Sequence, residues 1–254
     1  MNLLHIGDVV GAAGCLFLQE KLPQIKREHH IDITVVNGEN SAQGNGITVY
    51  SMEQIFAAGA DLITTGNHCF KCREALRIYD NSMVLRPANY PEGCVGKGVA
   101  EIDFGYCWVA VMNLSGTTYM DPLDNPFTTV DRLLEKIDTP NIFLDFHAEA
   151  TAEKKAMGYH LAKRVTAVLG THTHVQTADE TILEDHTGYL TDVGMTGPER
   201  SILGVAVEPA LDRFRFRFPS RFTEADGSCI MCGVIVNFDE KCGECMKIDR
   251  IIVR

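Results

Sequence analysis

Ile33-Thr34-Val35-Val36-Asn37-Gly38-Glu39-Asn40, residues 33–40, is an apolar run that stops abruptly at a cluster of polar side chains. The same pattern recurs four times. Leu3-Leu4-His5-Ile6 leads to Gly7-Asp8, and Leu62-Ile63-Thr64-Thr65 leads to Gly66-Asn67-His68. Ile142-Phe143-Leu144 leads to Asp145-Phe146-His147, and Thr166-Ala167-Val168-Leu169 leads to Gly170-Thr171-His172-Thr173-His174. Each apolar run reads as a strand. In open α/β sheets, ligands bind outside the carboxyl ends of the strands. Five strand ends carrying Asp, Glu, Asn and His therefore predict one convergent pocket.

Helix signals fall between these strands. Residues 16–27 are amphipathic, and residues 52–58 read as a helix ending at Gly59, a C-cap. Residues 73–79 form a short third helix. This βαβαβα order predicts a largely parallel first sheet. Residues 98–104 and 107–114 read as an antiparallel pair, followed by helices over 129–137 and 151–163. Thr151 is a good N-cap for the second of these, with Lys154 at N3. The C-terminal third is strand-rich, with strands expected over 189–191, 213–218, 231–238 and 246–253. Arg213-Phe214-Arg215-Phe216-Arg217-Phe218 reads as an edge strand with one buried face; an oligomer contact or a substrate rim is the alternative. The architecture expected is α/β, with two sheets face to face flanked by helices. With no repeat or linker in view, residues 1–254 read as a single domain.

The chain has 254 residues, 45% of them hydrophobic, enough for one sizeable core. No apolar stretch approaches the ~20 residues of a membrane span, and no basic-then-apolar leader opens the sequence. A cytoplasmic protein that leaves membranes alone is expected. The net charge of −11 repels long polyanions, so duplex nucleic acid is disfavoured. A small phosphorylated substrate is still accommodated if metal ions supply local positive charge. Nine cysteines, including the CxxC pairs Cys69/Cys72, Cys229/Cys232 and Cys242/Cys245, read as reduced thiols. The last two pairs should lie at opposite ends of a hairpin, too far apart for a shared zinc ion.

Several residues can carry metal chemistry. Asp8 alone serves equally well as a helix cap. Glu39 can bridge two metals, and Asn40 can add a neutral oxygen; a polar turn is the alternative there. Asn67 offers an amide oxygen, and His68, next in sequence, projects differently and suits an acid. His172 and His174 are two apart and would share one face of an extended chain. His147 adds a third imidazole. Mixed nitrogen and oxygen donors without thiolate suit manganese, iron or zinc. Seven such donors exceed one tetrahedral site and match two metals sharing a carboxylate.

These motifs resemble the calcineurin-like metallophosphoesterases, with their opening Asp, Gly-Asn-His and closing Gly-x-His-x-His. The closer resemblance is to the YmdB-like branch. It is carried by Arg86-Pro87-Ala88-Asn89-Tyr90-Pro91, Asp145-Phe146-His147-Ala148-Glu149-Ala150-Thr151 and residues 170–179. The resemblance implies a four-layer αββα metallophosphoesterase sandwich of two mixed sheets, with two metal ions per chain, iron or manganese and secondarily zinc. It implies a hydrolase acting on small phosphodiesters, 2′,3′- or 3′,5′-cyclic nucleotides, through a two-metal bridging-hydroxide mechanism. One metal would be held by Asp8, Glu39, Asn40 and His174, the other by Glu39, Asn67, His147 and His172, with His68 as proton donor. Val10 stands where the wider superfamily has a second metal-binding His, and Glu39 stands for the usual Asp. Asn40 would replace the missing imidazole, which favours iron or manganese.

Other readings share the same residues. The centre could serve a phosphomonoesterase or phosphoprotein phosphatase. The chain could instead be a nucleotide- or RNA-binding regulator with little turnover, or a metal-stabilised structural protein. The expected assembly is a homo-oligomer.

Overall fold

A computed structural model describes residues 1–217 and 219–254. The chain opens with β1 (Asn2–Ile6), β2 (Asp8–Val9) and α1 (Gly11–Glu28), then β3 (Ile33–Asn37), α2 (Val49–Ala58), β4 (Leu62–Thr64) and α3 (Ala75–Ile78). The middle carries β5 (Val99–Asp103), β6 (Trp108–Ser115), α4 (Pro126–Leu134), β7 (Asn141–His147), α5 (Thr151–Leu161) and β8 (Ala167–Thr171). The last third adds β9 (Thr181–Leu183), β10 (Thr187–Leu190), β11 (Met195–Pro198), α6 (Val207–Phe216), β12 (Cys229–Asp239) and β13 (Glu244–Val253).

Two mixed sheets result. The first has seven strands in the order β2-β11-β12-β1-β3-β4, with β13 on the other edge of β12. The second has six, in the order β5-β6-β7-β8-β10-β9. Strands β1, β3 and β4 run parallel, and so do β6, β7 and β8. The carboxyl ends of each trio therefore share one edge, which is why the polar motifs gather there.

Side chains alternate across each strand and sort the core into layers. Leu3 of β1 and Val35 of β3 pack with Val109, Val111 and Phe143 of the second sheet. Leu4 and Ile6 face the other way, onto Leu18 and Leu22 of α1 and Ile55 of α2. On the far side, Leu144 and Phe146 of β7 pack with Val130 of α4 and Met157 and Leu161 of α5. Burying each such side chain contributes roughly 1.5–3 kcal/mol. Helices, sheet, sheet and helices make the expected four-layer αββα sandwich. Among the described residues, no helix is long and apolar enough to cross a membrane.

Three local expectations need correction. Residues 213–217 are not a strand, since α6 runs to Phe216; Phe218 lies outside the described residues. The Arg–Phe alternation does not mark a buried face, because Phe214 and Phe216 are both exposed. Helix signals decide instead: Glu208 and Pro209 in the first turn, and Arg213 and Arg215 in the last. Thr151 is the first residue of α5, not its cap; Ala150 takes the cap position without a side-chain bond. The short β2, β9 and β11 escaped the sequence reading altogether. The expected close of α2 at Gly59 is present, in left-handed conformation with φ +110°. Strands β12 and β13 pair from Met231/Val253 to Asp239/Glu244, so the two CxxC pairs flank opposite ends of this hairpin.

The entry of β11 depends on Gly7. Strand β1 follows β12 as far as the Ile6–Gly233 pair, and β11 then takes its place, with β2 alongside. Gly7 N donates to Cys232 O and Asp8 N to Gly194 O, each at 3.1 Å. A Cβ on Gly7 would lie 2.0 Å from Gly194 O, a backbone atom with little freedom to retreat. Gly7→Ala is expected to lower the unfolding free energy by about 3 kcal/mol, read by urea denaturation. A midpoint equal to the parent's would contradict this account of the crossover.

Candidate metal centre

Asp145 is the one carboxylate of β7, and it faces the other sheet among apolar neighbours. It is almost wholly buried, so its charge needs partners. Thr64 Oγ1 of β4 donates to Oδ2, Thr171 Oγ1 of β8 donates to Oδ1 at 2.6 Å, and Asn37 Nδ2 of β3 donates to Oδ2 at 3.2 Å. His5 Nε2 of β1 lies 3.4 Å away. Both sheets thus meet on one carboxylate at their carboxyl edge.

The sequence-predicted residues converge just above this seam. Glu39 Oε1 lies 2.9 Å from His147 Nε2 and 3.2 Å from His68 Nδ1. His147 Nε2 is also 3.1 Å from Asn67 Oδ1 and 3.0 Å from His172 Nδ1. Asp8 Oδ1 accepts from Asn40 Nδ2 at 3.2 Å and lies 3.5 Å from His174 Nε2. Asn40 Nδ2 reaches Glu39 Oε1 at 3.3 Å and so joins the two groups. The donor atoms of Glu39, His147 and His172 lie within 4.8 Å of one another and could hold a cation. Asp8, Glu39 and His147 have no solvent exposure. The close fit of His147 requires Gly66, where a Cβ would sit 2.1 Å from the imidazole ring.

Each metal-binding imidazole candidate has its outer nitrogen engaged. Thr171 gives its hydroxyl hydrogen to Asp145, so its oxygen accepts from His147 Nδ1 at 2.9 Å. His172 Nε2 faces Glu149 Oε2 at 3.0 Å. His174 Nδ1 faces the Leu203 carbonyl at 3.2 Å. With the outer proton held by an acceptor, the inner nitrogen of each ring is the one free to bind a cation. For His147 and His174 it is Nε2, and for His172 it is Nδ1. Asn40 is arranged differently: its Oδ1 faces His68 Nδ1 at 3.2 Å, which orients the His68 ring.

Electrostatics show where positive charge is favoured. Burial pushes the Asp8 carboxyl up, but His174 beside it outweighs burial and holds it at about 2. Burial acts likewise on Glu39, and His147 and His68 hold it well below the usual carboxylate range. Burial disfavours the His147 cation, yet Glu39 keeps that ring protonated up to about 9. Burial and the His147 charge push His172 down to about 3, so this ring is neutral. A metal ion entering would displace the His147 proton.

The two closing histidines do not lie on an extended segment, as the spacing had suggested. His172 has φ +97° and His174 φ +62°, in the left-handed region that side chains disfavour. The surrounding bonds enforce this turn. Asp192 Oδ2 accepts from Thr173 N at 3.0 Å and Thr173 Oγ1 at 2.7 Å, and it pairs with Lys154 Nζ at 2.7 Å. Lys154 is only 1% exposed, a fully buried ammonium. Sequence reasoning missed Asp145, Glu149, Lys154 and Asp192 as parts of this assembly. Asp145 carried a signal, a charge inside a strand buried on both faces; Lys154 and Asp192, 38 residues apart, carried none. Cys69 is buried nearby, and burial pushes its thiol up to about 12.

Fold and cluster together define the class: a calcineurin-like metallophosphoesterase sandwich, with its donors at the carboxyl edges of two facing sheets. Residues 4–251 match the family described as YmdB-like protein, and the chain belongs to that family. It is 44% identical to the 2′,3′-cyclic-nucleotide 2′-phosphodiesterase of Bacillus subtilis, over 100% of this chain and 97% of that one. Its structure matches a Thermus thermophilus protein with TM-score 0.95 and 39% identity, covering 100% of this chain and 99% of that one. A Mycoplasma pneumoniae protein described as a novel phosphatase also matches with TM-score 0.95, at 31% identity over 100% and 93%.

The Lys154–Asp192 pair tests how the histidine turn is held. Lys154→Met leaves Asp192 buried without its countercharge and is expected to cost about 3–5 kcal/mol of stability, measured by urea unfolding. A variant as stable as the parent would contradict this role.

Proposed function

We propose that the chain is a metal-dependent phosphodiesterase acting on small cyclic nucleotides, with the 2′,3′-cyclic esters first. The observation that supports this most is the convergence of seven polar side chains from five strand ends, three imidazoles among them with outer nitrogens engaged. The donor set fits two divalent cations. Asp8, Glu39, Asn40 and His174 would hold one, and Glu39, Asn67, His147 and His172 the other. With no thiolate, iron or manganese suits the set, and zinc less so. When bound, the cations supply positive charge to phosphoryl oxygens and bring the pKa of water towards neutrality. The relative from Bacillus subtilis, described as a 2′,3′-cyclic-nucleotide 2′-phosphodiesterase, supports the choice of substrate.

The chain's own residues divide the remaining work. Glu39 carries charge between the two donor groups. Thr171, Glu149 and Leu203 fix the tautomers of the three imidazoles. His68 is the proton donor. Its Nδ1 is held by Glu39 and Asn40, which leaves Nε2 on the side of the cavity. From there Nε2 gives its proton to the ribose oxygen as the bond to phosphorus breaks. A phosphomonoesterase is the second reading, drawn from the Mycoplasma pneumoniae protein described as a phosphatase.

His68→Ala separates proton donation from metal holding. The variant is expected to keep its metal content and lose roughly 10²–10⁴-fold in turnover of 2′,3′-cyclic AMP. It should lose much less on bis-p-nitrophenyl phosphate, because nitrophenolate leaves without a proton. Equal losses on both esters would contradict the proton-donor role. A parent enzyme that hydrolyses adenosine 2′-monophosphate and neither diester would favour the phosphomonoesterase.

A further inference from the structure

The polar cluster lines only part of its cavity. The cavity has a volume of about 780 Å³, within the roughly 300–1,000 Å³ typical of small-ligand sites. Glu39, Asn40, His68, His172 and His174 line one part, and Phe214, Arg221 and Phe222 line another. A phosphate alone has no use for that second part. Phe214 is 68% exposed and Phe222 45%, large rings left open beside a charged centre. Large exposed apolar surface lining a cavity marks a contact for something else.

This wall is built into the fold. The Glu224 carboxylate accepts from Ala13 N of α1 at 3.0 Å. Ala206 N donates to Thr223 O at 2.9 Å, and Val205 bridges to Glu224. Ala210 of α6 is buried. The Arg213 guanidinium lies over the Phe222 ring, 5.4 Å from its centroid. The same segment supplies the Leu203 carbonyl to His174. The aromatic wall and the donor cluster are therefore mechanically joined.

We propose that Phe214, Arg221 and Phe222 form a nucleobase subsite, which selects nucleosides among cyclic phosphate esters. The inference rests on the phosphodiesterase reading and extends it to substrate choice. A base is flat, uncharged and apolar on its faces, so it suits a wall of aromatic rings in a protein of net charge −11. Stacking on an aromatic side chain tolerates every base because each has a π-face. A planar guanidinium such as that of Arg221 stacks in the same way. A ligand whose base rests there keeps its ribose phosphate in the same cavity as the donor cluster.

The test compares the metal-loaded parent with Phe222→Ala, Phe222→Leu and Phe222→Trp. Two esters are used: 2′,3′-cyclic AMP and methyl ribofuranoside 2′,3′-cyclic phosphate, which lacks the base. The preference, the ratio of the two kcat/KM values, is expected to fall roughly 5- to 150-fold in Phe222→Ala. It should stay low in Phe222→Leu, which keeps apolar bulk without a π-face, and recover in Phe222→Trp. Adenosine binding, followed by ligand-observed NMR, should weaken in the Ala and Leu variants in parallel. Adenosine binding does not require turnover. A parent that binds adenosine through Phe222 but hydrolyses neither ester would sink the phosphodiesterase reading and leave the subsite standing. An unaltered preference with unaltered adenosine binding would overturn the subsite and leave the phosphodiesterase reading standing.

Discussion

The buried carboxylate of Asp145 is the contact on which the centre depends. An unpaired charge between two apolar sheet faces would cost several kcal/mol. Partners come from both sides: Thr64 and Asn37 of one sheet, Thr171 of the other. Their side chains reach it only if the carboxyl edges of the sheets are in register. The same Thr171 oxygen then accepts the outer proton of His147. One buried group thereby aligns two sheets and sets the tautomer of the most buried imidazole.

Around it, the centre is a set of charged and polar side chains held in place by neighbouring groups. Glu149 and the Leu203 carbonyl do for His172 and His174 what Thr171 does for His147. The strained backbone at His172 and His174 is held by Asp192, itself neutralised by Lys154. Such supporting partners commonly change metal affinity about 10–100-fold when lost. Leu203 is of particular interest, because the segment that carries it also carries the aromatic wall of the cavity.

Much of this was legible in the sequence. Apolar runs ending in polar motifs gave away the parallel strands and the edge at which the site forms, because parallel pairing sends successive strand ends to one side; the order of the strands was not readable from them. The bonds that hold the site were less legible. Lys154 reaches Asp192 from a helix, a contact that depends on three-dimensional packing rather than spacing. The spacing of His172 and His174 suggested an extended chain, but tertiary bonds impose a left-handed turn. The Arg–Phe alternation at residues 213–218 suggested a strand, but helix-terminal charges and a first-turn proline outweighed it as far as Phe216. In the last two cases a short-range period was overruled, by partners distant in sequence at the histidines and by helix-terminal signals at α6.

The central claim is that the fold presents one chosen nitrogen from each of three imidazoles, on either side of Glu39. Anomalous diffraction from crystals of the manganese-loaded protein tests it most directly. The account predicts two peaks that share Glu39, one bound by His147 Nε2 and His172 Nδ1 and the other by Asp8 and His174 Nε2. A single peak, or a ring turned so that its opposite nitrogen meets the metal, would contradict it.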